Sequence, residues 1–297
     1  MRLGRSDLEV SRVGLGCNNF GGRLDKAATR AVLDAALEAG VTFLDTADIY
    51  GSSDSERFIG EILADRRDRI LLATKFGQDA SVPGPGGSSS HIRRAHELSL
   101  ERLRTDAIDL YYYHRPDGET PLAETLGVLQ ELVDEGTVRF IGLSNVTATE
   151  LEAAVATGTT VVAVQNRYSL LHRDDDADVL PFCREHVIAY VPYFPLESGL
   201  LTGKYRRGEP GPDGARLTGR PDRFTDELLE RVETLEAVAQ RQGRSLLELA
   251  IGGLASIPGI ASVIAGATRP EQARANAEAG SWHATGDELD AITQAVG

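Results

Sequence analysis

Short apolar runs recur along this chain, and each breaks off in a polar residue or a glycine. They occupy residues 13–16, 41–44, 70–74, 108–113, 138–143, 161–164, 187–193 and 260–265. Unbroken apolar runs of this length, rich in Val, Ile and Leu, fit strands that are covered on both faces. Between them lie stretches of helical character at 26–39, 55–63, 92–103, 121–133, 174–186, 226–242 and 270–279. Gly40 and Gly136 stop two of these, Pro121 opens a third, and Thr147 with Glu150 forms a capping-box pattern before a helix at 151–155. Strand and helix in regular alternation predict a parallel sheet with right-handed crossovers. Eight such units predict closure into a (β/α)8 barrel of the TIM type, formed by residues 1–297 as a single domain.

Three features decorate that plan. Residues 3–13 read as a short β-hairpin, with Leu8-Glu9-Val10 pairing back on Leu3. A long loop follows the seventh strand, from Phe194 to Thr225, and its segment Gly208-Glu209-Pro210-Gly211-Pro212-Asp213-Gly214 cannot be regular structure. An extra apolar helix is expected at 246–257.

A barrel presents its chemistry at the C-terminal ends of its strands. Those ends carry Cys17, Asn18, Asp45, Lys75, His114, Ser144, Asn145, Gln165, Asn166 and Tyr193. Lys75 closes an apolar run, where an ammonium is costly unless a counter-charge meets it. Asp45, on the neighbouring strand, is the candidate counter-charge. By itself the pair reads equally well as a structural salt bridge. Tyr50 favours chemistry, because a phenol titrates near pH ~10 and a nearby ammonium lowers that value. Tyr50 is then a candidate general acid toward a carbonyl oxygen, with His114 able to orient the same oxygen.

These residues lie in motifs: Asp45-Thr46-Ala47-x-x-Tyr50-Gly51, Lys75, and Tyr113-His114-Arg115-Pro116-Asp117. Further along come Gly142-Leu143-Ser144-Asn145, Gln165-Asn166-Arg167-Tyr168, Pro195-Leu196-x-x-Gly199-Leu200-Leu201-Thr202-Gly203-Lys204, and Gly266-Ala267-Thr268-Arg269-Pro270-Glu271-Gln272. Together they resemble the aldo-keto reductase family, in order and over nearly the whole chain. The resemblance implies a barrel that binds a nicotinamide dinucleotide without a Rossmann fingerprint. In keeping with that, Gly14-Leu15-Gly16-Cys17-Asn18-Asn19 lacks the third glycine of G-x-G-x-x-G.

The resemblance implies a catalytic tetrad of Asp45, Tyr50, Lys75 and His114. It places Asp45, Ser144, Asn145, Gln165 and the ring of Tyr193 at the nicotinamide, and Leu196, Gly199, Leu201 and Lys204 at the pyrophosphate. Gly266, Thr268, Arg269, Gln272 and Asn276 fall at the adenosine end, with Arg269 suited to a 2′-phosphate. The most familiar branch of the family carries Lys-Ser at the positions of Gly266 and Ala267, and Arg at that of Gln272. NADPH is therefore the expected cofactor, with NAD possible. The implied activity is reduction of aldehydes or ketones to alcohols, with a small carbonyl compound as substrate. Two alternatives share the motifs: a nucleotide-binding regulatory subunit of a membrane channel, and a dehydrogenase of sugar or pyridoxal-type alcohols. Asn18, Phe20 and the loops 78–89, 115–119 and 194–225 are candidate walls of the substrate pocket, whereas Trp282 reads as packing.

Net charge narrows the partners further. A value of −14 argues against nucleic acid or an anionic membrane surface. No apolar run reaches the ~18 residues of a membrane span, and no secretory leader is visible. Cys17 and Cys183 are isolated, without metal-ligand spacing, and read as buried thiols. A cytoplasmic protein without a metal is expected; oligomeric state is left open.

Overall fold

The computed structural model describes residues 1–209, 211–212, 216–218 and 225–296. Pro210, Asp213 and Gly214 of the expected irregular loop, and residues 219–224 after it, lie outside them.

The strands are β1 (Val13–Gly16), β2 (Phe43–Asp45), β3 (Leu71–Phe76), β4 (Ile108–Tyr113), β5 (Val138–Ser144), β6 (Val161–Gln165), β7 (Ala189–Tyr190) and β8 (Val263–Gly266). Helices α1 (Lys26–Glu38), α2 (Asp54–Leu63), α3 (Ser89–Leu103), α4 (Leu122–Asp134), α5 (Ala148–Ala156) and α6 (Val179–Glu185) each join one strand to the next. After β7 come α7 (Asp226–Arg241) and α8 (Leu246–Glu248), and after β8 come α9 (Pro270–Gly280) and α10 (Gly286–Val296). Neighbouring strands pair in parallel in the order β7-β6-β5-β4-β3-β2-β1-β8. Parallel bridges Tyr190↔Ile260 and Tyr193↔Ile264 join the two ends of that order and close the barrel.

Local chemistry explains where elements start and stop. Asp25 caps α1 by accepting from the Ala28 amide, and Thr147 and Glu150 form the expected capping box on α5. The run 187–193 yields only two strand residues. Val187 is held at φ 55° and Pro192 has no amide to give, so pairing reduces to single bonds such as Ile264 N to the Pro192 carbonyl. The expected helix at 246–257 is three pieces: α8, a π turn over Leu249–Gly253 and a 3-10 turn over Leu254–Ser256. Gly252 lets this segment press on α9, since a Cβ there would stand 2.4 Å from the Ala279 carbonyl.

The N-terminal segment stoppers the lower end of the barrel. Arg2 and Glu9 form an antiparallel bridge, and Leu3, Leu8 and Val10 pack with Phe43, Leu110 and Val162. Gly4, at φ +53°, fits only without a side chain; a Cβ would come within 2.5 Å of the Val162 carbonyl. Higher inside, the Tyr112 ring lies over Gly142, where a Cβ would be 2.4 Å from ring carbons. Tyr111 and Tyr113 face the other way, against Phe76 and the helices outside. With its floor filled by side chains, the barrel leaves its upper rim for a ligand.

Candidate active site

At that rim the strand ends deliver an ordered set of polar groups. Asp45 ends β2, and Lys75 lies near the end of β3 beside it. Lys75 Nζ sits 2.7 Å from Asp45 Oδ2 and 2.9 Å from the Thr46 carbonyl, with its side chain 1% exposed. Asp45 Oδ1 accepts from Gln165 Nε2 at 3.0 Å, so the carboxylate spans two sides of the barrel. Burial alone would pull Lys75 down, but Asp45, and after it Tyr50, outweigh burial and hold its pKa above the usual value. The ammonium is therefore charged at neutral pH.

Tyr50 reaches the ammonium from the turn between β2 and α2. Gly51 makes that turn possible: at φ +57°, its Cβ would stand 2.3 Å from the Phe20 carbonyl. The Tyr50 hydroxyl lies 3.5 Å from Lys75 Nζ. Burial raises its pKa above the ordinary phenol value, and Lys75 pulls the other way without cancelling that. The sequence-based expectation of a lowered pKa thus had the right sign for Lys75 and left out the larger effect of burial. His114 follows β4, its ring edge-on to Tyr50 with centroids 6.0 Å apart. Burial first, then Lys75 and Arg115, push the imidazole down to about 3, so it is neutral at working pH. Its Nδ1 is buried and has no hydrogen-bond partner among the described residues.

A cleft of about 730 Å³ runs from this cluster across the rim toward α9. Of the residues anticipated for catalysis or cofactor binding, all line it except Lys75 and Leu201. Lys75 lies beneath it, while Leu201 is buried in the core and its amide is committed to the Leu196 carbonyl. Phe20 is likewise fully buried, so it is no pocket wall. Asn166 is occupied in structure, bonding both Val146 and Asp175. Trp282 packs in the core beneath Arg244, and both cysteines are buried and free.

Next to His114, Asn145 holds φ 56°, a left-handed conformation that asparagine tolerates. It donates to the His114 carbonyl at 2.8 Å and accepts from the Tyr193 hydroxyl at 2.6 Å, which fixes that ring over the cleft. Ser144 donates to the Gln165 carbonyl at 2.7 Å.

The far end is cationic. Lys204 is lowered by burial and then by Arg269, Arg216 and Arg23, which places all four charges together. None makes an ion pair with a described residue. Arg216 crosses the cleft to donate to Asn19 Oδ1 at 3.0 Å. Gln272 accepts from the Thr268 amide and hydroxyl at the start of α9. Asn19 and Arg23 were not anticipated as site residues, and Arg216 was covered only as part of the loop 194–225; each is a single residue in a loop, without periodicity to mark it.

An eight-stranded barrel thus gathers a buried Asp-Lys pair, a phenol and an imidazole at one rim, the arrangement of a candidate enzyme site. The profile of the Aldo/keto reductase family matches residues 12–296, and the chain belongs to that family. It is 35% identical over 282 residues to the uncharacterized oxidoreductase YqkF of Bacillus subtilis (strain 168), covering 94% of this chain and 90% of that protein. To the probable aldo-keto reductase 1 of Glycine max it is 37% identical over 264 residues, covering 84% of this chain and 75% of the relative. Among solved structures, the holo form of aldo-keto reductase AKR11C1 from Bacillus halodurans superposes with a TM-score of 0.84 at 32% identity, over 99% of this chain and 95% of that one. The glycerol dehydrogenase AKR11B4 from Gluconobacter oxydans gives 0.87 at 27% identity, over 100% and 94%.

Proposed function

We propose that the protein reduces aldehyde or ketone carbonyls to alcohols with NADPH, Tyr50 supplying the proton. The observation that carries this reading is the chain of contacts Gln165–Asp45–Lys75–Tyr50, with neutral His114 beside the phenol, at one end of a cleft whose other end holds four cations.

The donor set suits a dinucleotide. Ser144, Asn145 and Gln165 offer the hydroxyl and amide groups that a carboxamide needs, and the tethered Tyr193 ring offers a stacking face. Arg23, Lys204, Arg216 and Arg269, with the N-terminus of α9, suit phosphates, and the guanidinium of Arg269 suits a 2′-phosphate. When bound, a reduced nicotinamide supplies hydride to the carbonyl carbon.

The protein's own groups handle the oxygen. Tyr50 is protonated at neutral pH and gives its proton to the oxygen as negative charge develops there. The resulting phenolate faces the Lys75 ammonium, which Asp45 keeps charged. His114, uncharged, directs the oxygen with a ring N–H and adds no competing acid. Exchange of Tyr50 for Phe keeps the ring and deletes the proton. A loss in kcat/KM of about 10²–10⁴-fold is expected, with NADPH affinity within about threefold of the parent. Loss of binding and turnover in equal measure would remove Tyr50 from the proton-donor role.

Similarity to a glycerol dehydrogenase favours a second reading, in which the same groups run in reverse on a polyol and Tyr50 receives the proton. Initial rates in both directions separate the two.

A further inference from the structure

The protein carries a net charge of −14, yet among the described residues the cleft is lined by five cationic side chains and a single carboxylate, Asp45, which is spent on Lys75 and Gln165. Four of the cations form the cluster at the far end. The fifth, Arg115, stands apart from them. It directly follows His114 and lies close enough to act electrostatically on both His114 and Tyr193. That puts it at the proton-transfer end, where Phe194, its ring against Tyr193, also lines the cleft.

Arg115 is exposed and makes no ion pair with a described residue. The nearest carboxylate in sequence, Asp117, is taken: it accepts from the amides of Gly87, Glu119 and Thr120 and from the Thr120 hydroxyl, at 2.7–2.9 Å. Arg167, on the same rim, shows the usual arrangement, held 2.6 Å from Glu197. In an acidic protein, a guanidinium left without a carboxylate beside the reacting position is a site for an anion that arrives with the substrate.

We infer that Arg115 anchors an anionic group, a carboxylate or a phosphate monoester, on the carbonyl compound that the cleft accepts; this rests on the reductase reading above. The carbonyl then lies at Tyr50 and His114, and the anion lies at the mouth. A planar guanidinium binds either group through two parallel hydrogen bonds.

The test compares kcat/KM for charged carbonyl compounds and uncharged counterparts, with NADPH in excess. Succinic semialdehyde is set against its methyl ester, and glyceraldehyde 3-phosphate against glyceraldehyde. A charged-to-neutral ratio of about 10 or more is expected for at least one pair, the size of one charge-assisted hydrogen bond. Preference in the first pair identifies a carboxylate and preference in the second a phosphate. In Arg115→Ala that ratio falls by about tenfold, while Arg115→Lys keeps part of it, with the change carried mainly by KM. Ratios near one in the parent, or a ratio unmoved by Arg115→Ala, overturn the inference while turnover of the neutral aldehydes leaves the reductase reading standing. Absence of turnover on every carbonyl in both directions overturns the reductase reading itself.

Discussion

Exchanging Asp45 for Asn tests the ion pair on which the site is built. Lys75 Nζ lies 2.7 Å from Asp45 Oδ2, with side-chain exposures of 1% and 4%. At an effective dielectric of ~20, two unit charges at that distance attract by about 6 kcal/mol, most of it offset by desolvation. The variant keeps the shape but leaves the ammonium facing neutral acceptors such as the Thr46 carbonyl. Removing one partner of a buried pair costs about 3–5 kcal/mol. There is a ceiling, because Lys75 can shed its proton. Discharging a lysine of ordinary pKa ~10.4 at pH ~7 costs about 4.6 kcal/mol, so the expected loss is about 3 to 4.5 kcal/mol.

The pH dependence makes the test specific. In the parent the folded pKa of Lys75 is raised, so its stabilisation is fully present below the unfolded value of ~10.4 and is lost as pH rises through the folded one. In the variant the folded lysine is neutral and the unfolded one charged. The unfolded state then binds the extra proton, and stability climbs by about 1.4 kcal/mol per pH unit up to ~10.4. The gap between parent and variant should therefore shrink by about 2–3 kcal/mol between pH ~7 and pH ~9. Urea unfolding of the nucleotide-free protein, followed by far-UV circular dichroism at both values, measures it. A deficit below about 1 kcal/mol, or one that stays constant with pH, would refute the reasoning.

Three further outcomes follow from the same geometry. Asp48 is buried with neither oxygen in a well-formed hydrogen bond to a described residue, and burial, then Glu56 and Asp79, raise it to about 8 against a weak pull from the Ile49 amide. A raised carboxyl costs stability above its unfolded pKa of ~3.9, so Asp48→Asn should stabilise by about 1–3 kcal/mol at pH ~7 and not at pH ~4, as thermal unfolding would show. For His114 the folded pKa is depressed to about 3, so its stabilisation is full above the unfolded value of ~6.5 and is lost as pH falls toward the folded one. Its ring proton resonances should show no titration between pH ~5 and ~8; a midpoint in that range would contradict the burial of the ring. Arg269→Ala should weaken NADPH by about tenfold and NADH by less, measured by fluorescence titration, and an equal loss for both would remove Arg269 from a 2′-phosphate site.

The barrel was legible because buried parallel strands are written as continuous apolar runs, and 108–113 appears as β4 unchanged. Where other forces entered, the pattern misled. Val187 and Pro192 look like strand residues, yet a left-handed φ and a missing amide cut β7 to Ala189–Tyr190. Helix α10 went unread although Thr285 and Glu288 pair as a capping box at its start and Leu289, Ile292 and Val296 recur at helical spacing. Asp45, Lys75, Tyr50 and His114 stood out as polar residues at or just beyond apolar strand ends. How deeply each is buried is a property of the packed barrel, which is why the direction of the Tyr50 shift was not in the sequence.

The two ends of the cleft are built on different supports, and that difference has a physical consequence. Asp45, Lys75 and Gln165 belong to strands paired on both sides, so their spacing is set by the barrel and needs no ligand to create it. Arg23, Lys204 and Arg216 come from the loops after β1 and β7, and Arg269 caps α9. Four like charges gathered from separate segments repel one another, and Lys204 registers that in its lowered pKa. The Arg216–Asn19 hydrogen bond offsets little of it. An anion seated among the four relieves the repulsion and ties the loops together in one event. Ligand binding at this end should therefore draw the segments that carry the four charges together and leave the strand-borne Asp45–Lys75 pair unchanged.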